Sequence, residues 1–451
     1  MIRQTLAASV LLIAASPAAA QSQQEALDAR YDRALAAGYK ALFLCGAIAN
    51  ADRVGQDRLA EHVEQWELTG IQAPLDDIIR TLPHEIVTDP NGVVDHVTVT
   101  WADDMPPRVA EYRGRAGCAI MPPGTVPETD SNSFPKYGDA LIRNWHTRID
   151  TPVRSRLEAA FTDDYGKGAR TTSVIIDQGG QVVDEMSAEG FGPFMPQRTW
   201  SVAKSIAATL VGMAVQRGEA DVHASAGLGA GEGDPRATIT IDHLLRMASG
   251  RYSDTAGNRT DPIYFGGATV DERAANWPLM YKPGTAYRYA NNDTLMAVAA
   301  IKSSLAAPSV TEQLWDIGMT NTTAEADWQG NFILSSQVWA SPFDLVELGR
   351  LYLNDGMRGN SRVLPEGWRD YVSAPSGPQP EGRAFGYGAG FWLFNNSPGV
   401  PADTFAAMGN RGQYVVIVPS RDVVIVRRGE DPVGSRFDIA AFTRDVLADL
   451  D

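Results

Sequence analysis

The chain has 451 residues, 44% of them hydrophobic, enough to bury a sizeable core in one large domain or two ordinary ones. Lys and Arg total 39 against 55 Asp and Glu, giving a formal charge of −16, the wrong sign for tracking a phosphate backbone, so a nucleic-acid partner is not expected. Acidity of this kind is usually a property of the solvated surface and says little about substrate.

Residues 1–20 combine Arg3, a short apolar run from Leu6 to Ala15 and the small residues Ala18-Ala19-Ala20, the pattern of a cleaved signal peptide. An N-terminal anchor is the alternative, although the apolar run is shorter than the roughly 20 residues a span requires. The expectation is an exported protein, periplasmic or secreted, beginning near Gln21. No later segment reads as apolar enough to cross a bilayer, so no stable membrane insertion is expected after cleavage. The two cysteines, Cys45 and Cys118, read in an exported chain as a disulfide rather than a metal site. Two separately buried thiols remain open, because sequence does not supply the Cα separation.

Helical spacing of Ala, Leu and Tyr runs from about Ala26 to Ala49, and a second periodic stretch from Arg58 to Leu68. Val93 to Trp101 alternates as a half-buried strand, and a Pro/Gly/Ser-rich run from Met121 to Pro135 is the candidate boundary. This divides the chain into an N-terminal region of mixed helices and strands, 21–135, and a second domain, 136–451. In the latter, Thr172 to Glu185 reads as a hairpin turning at Gln178-Gly179-Gly180, and two further β-rich runs, Tyr414–Val418 and Val423–Arg427, come near the end. Mostly helical patterns lie between. Strands at both ends predict one sheet assembled from the two halves of the domain, with a helical insertion beside it.

The segment R-T-W-S-V-A-K-S-I-A-A-T-L-V-G-M-A-V places Ser201 and Lys204 three apart at the start of an apolar helix ending near Gly218. At i and i+3 the two side chains share one face. A serine at a helix N-terminus sits where unpaired N–H groups favour a developing oxyanion, and apolar surroundings favour the neutral amine of Lys204, a general base. S-x-x-K alone is weak: Ser133-Phe134-Pro135-Lys136 also matches, but Pro135 stands where the helix would run. Taken by itself, Ser201 would be an ordinary N-cap serine. A second feature lies at K-P-G-T-A-Y-R-Y-A-N-N-D-T, residues 282–294, where a Pro-Gly turn leads through Tyr289-Ala290-Asn291 into a helix. Tyr289 on such a turn can point its phenol at the serine. Tyr352-Leu353-Asn354 repeats Y-x-N inside a helical run and reads as a core or helix-surface tyrosine.

Together, Ser201/Lys204 and Tyr289/Asn291 resemble the S-x-x-K and Y-x-N motifs of the serine β-lactamase-like and penicillin-binding superfamily, which includes class C β-lactamases, D-alanyl-D-alanine peptidases, class VIII esterases and 6-aminohexanoate-dimer hydrolases. The resemblance covers about residues 136–451. It implies an α/β (α+β) fold, an antiparallel sheet flanked by helices beside a helical subdomain, here with an N-terminal extension. It also implies Ser201 as nucleophile, Lys204 as its base, Tyr289 as proton relay, and Asn291 as a polar contact to substrate or Lys204. The family's third motif, Lys or His, any residue, then Gly, is where this chain departs. In F-A-A-M-G-N-R-G-Q-Y, Ala407-Met408-Gly409 occupies it in one register, with the Asn410 N–H completing an oxyanion hole with that of Ser201. A second register uses Asn410-Arg411-Gly412 and the Gln413 N–H. Either way the cation that grips a carboxylate is missing from the first position, and Arg411 is the candidate substitute. Trp200 and Tyr252 are candidate pocket residues by the same analogy.

There is no G-x-S-x-G elbow, and His62, His84, His96, His146, His223 and His243 show no metal spacing and read as surface or capping residues. No cofactor is expected. The reading is a serine hydrolase acting through an acyl-enzyme on a small-molecule substrate, an ester or linear amide of the 6-aminohexanoate-oligomer type. β-Lactamase or D-alanyl-D-alanine carboxypeptidase activity is the alternative, and a non-catalytic ligand-binding sensor is the alternative of another class.

Overall fold

The computed structural model describes residues 17–127, 151–231, 233–253 and 260–450, with residues 17–20 described by backbone alone. Most of the expected signal peptide, the second half of the expected boundary run, the Ser133–Lys136 motif and His146 lie outside the described residues.

A helix spans Pro17–Arg53, starting earlier than its periodicity suggested, and its stretch from Ala34 to Ala51 is almost wholly buried. Between those positions Lys40 is the one charged residue, and its ammonium is satisfied by Glu64 and the Leu82 carbonyl. This corrects the expectation that no later segment could cross a bilayer: residues 21–53 are long and apolar enough, but the apolar stretch is buried inside the protein. It packs on a four-stranded antiparallel sheet, ordered His84–Thr88, Val94–Val99, Arg108–Tyr112, Cys118–Ile120. Only the second strand was legible in the sequence. The other three are short, and Arg108 is buried donating to the carbonyls of Ala34, Met121 and Phe265, a role periodicity cannot anticipate. Cys45 and Cys118 form a disulfide with a Cα separation of 6.1 Å, joining the helix to the last strand.

The main sheet has seven antiparallel strands in the order Gly386–Tyr387, Trp392–Leu393, Phe405–Gly409, Gln413–Val418, Val423–Gly429, Thr171–Gln178, Gln181–Ser187. The expected hairpin forms, turning through Gly179 and Gly180, whose φ of 61° and 72° give the double left-handed turn that suits right-twisted strands. The late strand pairs with the early one, Ile425 opposite Ile176 and Val426 opposite Ile175, so the sheet is assembled from both halves of the domain. Both of its faces are covered. Val424, Val426 and Ile175 face the larger core, which includes the Pro342–Leu353 helix, whereas Val423, Ile425 and Ile176 face the Ile439–Asp449 helix. Helices including Val202–Gln216 and Asn291–Ala300 fill the interval between.

The N-terminal helix and the Val202–Gln216 helix belong to one apolar core, with Phe43 in ring contact with both Trp200 and Trp339. The helix approaches closely enough that a methyl at Gly38 would fall on the Phe265 carbonyl, far inside van der Waals distance. Gly38→Ala should therefore lower stability by roughly 1–3 kcal/mol, against the gain of about 1 kcal/mol that helix propensity alone would give. Urea denaturation checks the sign.

Glu325 is wholly buried beside the disulfide, accepting from the Cys118 N–H at 3.0 Å. Burial raises its pKa to about 7, outweighing the hydrogen bond and the Arg198 charge that lower it. With the folded value above the unfolded one, its contribution is fully present at acid pH and is lost as pH rises through about 7. Glu325→Gln should remove that loss, gaining stability relative to wild type between pH 5 and pH 8 by on the order of 2–3 kcal/mol. Denaturation midpoints across that interval measure it.

Candidate active site

Ser201 is the N-cap of the Val202–Gln216 helix, which begins as expected and is buried from Val202 through Ala214. The preceding residue, Trp200, has φ of 50°, a left-handed conformation that is strained for an aromatic side chain. Its ring is held by Tyr39 and Phe43 of the N-terminal helix and by the Arg198 guanidinium 4.5 Å from the ring centre. Trp200 is thus packed into the core rather than exposed as a pocket wall.

One turn into the helix, Lys204 is buried, and its Nζ lies 2.9 Å from Ser201 Oγ, 2.7 Å from Asn291 Oδ1 and 2.8 Å from the Ser335 carbonyl oxygen. Asn291 is oriented in turn by donating from Nδ2 to Thr260 Oγ1 at 3.0 Å. Ser335 is fixed by a hydrogen bond between its hydroxyl and Tyr264 at 2.7 Å.

The loop that delivers Tyr289 is tied down along its length. Gly284, in a left-handed turn, donates to Ala248, and Arg288 N–H donates to Met247, both at 2.8 Å. Arg251 and Asp293 form a buried ion pair at 2.8 Å, with Arg251 also donating to the Asn292 carbonyl. The Tyr289 ring lies 5.0 Å from Lys204 Nζ, with Ser201 close enough to its phenol to lower the phenol's pKa. Trp392 stacks on it at 5.5 Å, and Tyr387 meets it edge-on at 6.0 Å. Burial pushes the Tyr289 pKa up, and the neighbouring Ser201 offsets this only in part, so the phenol is protonated at neutral pH and suited to handing on a proton.

The Phe405–Gly409 strand ends beside Ser201. A side chain at Gly409 would stand 3.1 Å from the Ser201 nitrogen and collide with the Thr199 carbonyl, so glycine is required for the strand to come this near. Ala407-Met408-Gly409 is thus the register next to the serine. Gly412, the glycine of the other register, is packed instead against Arg427 and Asp431. Asn410 is exposed at the strand end.

Arg411 corrects an expectation. It is not a carboxylate anchor: its guanidinium is buried, paired with Glu430 at 2.7 Å, and donates to the carbonyls of Trp66 and Thr69. Tyr252 is 40% exposed, on a short ribbon in which its N–H donates to the Pro278 carbonyl. Tyr352 is a core tyrosine whose hydroxyl meets Thr209 at 2.9 Å. His243 caps a helix and His62 is half-buried against Phe191, whereas His96 is buried beside Asp95 rather than on the surface.

Sequence reasoning missed Ser335, Thr260, Tyr387 and Trp392. Ser335 contributes to Lys204 a backbone carbonyl, which every residue carries, and so leaves no signal. Tyr387 and Trp392 sit in F-G-Y-G-A-G-F-W, whose glycine density marks close chain approach and could have directed attention there.

The beta-lactamase family model matches residues 156–446, more than half of the chain. The chain belongs to the beta-lactamase family. Among solved structures, this member is similar to one described as "Putative 6-aminohexanoate-dimer hydrolase from Bacillus anthracis", with TM-score 0.55 and 20% identity over 65% of this chain and 81% of that one. A beta-lactamase structure from Bacteroides dorei DSM 17855, itself assigned provisionally, gives 0.53 and 18% over 67% and 98%. A family VIII carboxylesterase gives 0.50 and 16% over 66% and 97%. These likenesses establish the fold. No curated protein sequence matches the chain.

Because the Tyr289 ring lies against Lys204 Nζ, Tyr289→Phe should leave the fold intact while removing a hydroxyl placed to hand on a proton. An effect on the order of 10²–10⁴-fold in kcat, with little change in KM, is expected for loss of a general acid–base group. Steady-state kinetics on an activated ester and on an amide should show the larger loss for the amide, whose leaving group needs the proton.

Proposed function

We propose that this beta-lactamase-family protein is a serine hydrolase that forms an acyl-enzyme on Ser201. The observation that carries the reading is the 2.9 Å contact between Lys204 Nζ and Ser201 Oγ, with the Tyr289 ring centre 5.0 Å from the same amine. In this mechanism Ser201 Oγ attacks a substrate carbonyl while the neutral amine of Lys204 takes its proton. The oxyanion is met by the N–H groups of Ser201 and Asn410, and Tyr289 protonates the departing group. Water then releases the acyl group by the reverse sequence of proton transfers.

Small esters or linear amides are the proposed substrates. Ala407 supplies no charge at the first position of the third motif, and Arg411 is committed to Glu430, so neither offers the cation that would hold a substrate carboxylate. The fold neighbours described as a 6-aminohexanoate-dimer hydrolase and a carboxylesterase support that direction. The half-buried Trp392 beside Tyr289 suits an uncharged acyl or alkyl group. We further propose that the protein is exported, in keeping with the Cys45–Cys118 disulfide, a bond that persists in oxidising compartments.

A fluorophosphonate probe should add one phosphonyl group per chain by intact mass, and Ser201→Ala should abolish labelling and turnover of p-nitrophenyl esters. Labelling that survives in Ser201→Ala would exclude Ser201 as nucleophile. Absence of both labelling and turnover in wild type would favour a ligand-binding sensor, and preferential turnover of nitrocefin would favour the β-lactamase alternative.

A further inference from the structure

Both proposed oxyanion donors adjoin a non-glycine residue in the left-handed region: Trp200, φ 50°, precedes Ser201, and Arg411, φ 57°, follows Asn410. A left-handed arginine persists only where its surroundings over-determine it. The surroundings here are unusually complete. Arg411 pairs with Glu430 at 2.7 Å, and its Nη2 donates to the Trp66 carbonyl at 2.9 Å and the Thr69 carbonyl at 2.8 Å. Trp66 and Thr69 belong to the N-terminal region, in which Arg58 and Glu67 form a second buried ion pair at 2.7 Å. The same segment is fastened to chain just outside two sheet strands, by Val433 N–H on the Gly70 carbonyl at 2.8 Å and by Arg170, whose guanidinium lies 4.4 Å from the Trp66 ring centre.

The loop is held from the sheet as well. Arg427 donates to the Gly412 carbonyl at 2.9 Å and pairs with Asp431 at 2.8 Å. Arg428 donates to the Gln413 side chain and, at 2.9 and 3.1 Å, to the carbonyls of Gln197 and Arg198. Arg428 therefore links the segment that ends in Ser201 to the loop that carries Asn410.

Resting on the hydrolase reading above, we propose that Arg411 is a positioning residue for the oxyanion hole, through which the N-terminal segment Trp66–Thr69 sets the direction of the Asn410 N–H. The N-terminal region is on this account part of the catalytic apparatus, although it contributes no group that touches substrate. Lys cannot reproduce the role, because one ammonium lacks the fork that reaches Glu430 and two carbonyls together.

The test compares p-nitrophenyl esters with the corresponding thionoesters, whose sulfur accepts poorly from N–H donors and gains less from an oxyanion hole. Wild type should prefer the oxo-ester. Arg411→Lys should lower kcat for the oxo-ester by about 10- to 100-fold, less than deleting a donor outright, with KM little changed and the thionoester rate nearly unaffected, so that the preference collapses. Arg411→Met/Glu430→Gln removes both charges together and guards against unfolding from one unpaired buried charge. Glu67→Gln, in the N-terminal region, should reduce the preference in the same direction. Oxo- and thionoester rates falling in parallel in the folded variants, or an unchanged preference, would overturn the proposal. Wild type that takes no fluorophosphonate label on Ser201 would instead fail the hydrolase reading itself, and the positioning role with it.

Discussion

The pairing of Val423–Gly429 with Thr171–Gln178 is the constraint on which the rest of the structure depends. It joins segments about 250 residues apart, and because both faces of this part of the sheet are buried, a slip of one residue would exchange the side chains facing the two cores. The register places Arg427 and Arg428 behind the loop that follows Gly409. It also sets the Phe405–Gly409 strand across the Ser201 helix, so the two backbone segments that bracket the serine are fixed by sheet geometry.

Within that frame the site solves an electrostatic problem. An amine buried on an apolar helix is costly unless its hydrogen-bonding capacity is met, and Ser201, Asn291 and Ser335 meet it from three separate parts of the chain. The phenol of Tyr289 is kept protonated by the same burial, among aromatic rings that exclude water from one side. The two groups are held in different environments, a lysine served by acceptors and a half-buried tyrosine among aromatic rings.

Backbone strain concentrates where the elements of this site meet. Trp200 and Arg411 flank the two candidate oxyanion donors, and Met247, φ 57°, accepts from Arg288 beside Tyr289. Each strained residue is clamped by packing or ion pairs, and for Trp200 and Arg411 the clamp comes from the N-terminal region. The long helix Pro17–Arg53 is therefore not an appendage. It forms a shared core with the Ser201 helix, and its apolar length, sufficient for a membrane, is spent against protein.

Sequence alone determined the chemistry-bearing pairs and the outline of the sheet. Ser201 with Lys204 is a local pattern on one helix turn, the turn into Tyr289 and Asn291 is written in Pro283-Gly284, and the terminal strands announce themselves through continuous Val and Ile. Tertiary structure alone decided that Arg411 serves Glu430 and the N-terminal carbonyls, that Ser335 offers its carbonyl to Lys204, that Cys45 meets Cys118, and that Ala407-Met408-Gly409 is the register beside the serine. The physical reason is range. Periodicity and turn chemistry act over a few residues and leave a signature in neighbouring letters, whereas an ion pair or a backbone acceptor contributed from hundreds of residues away leaves none until the sheet closes.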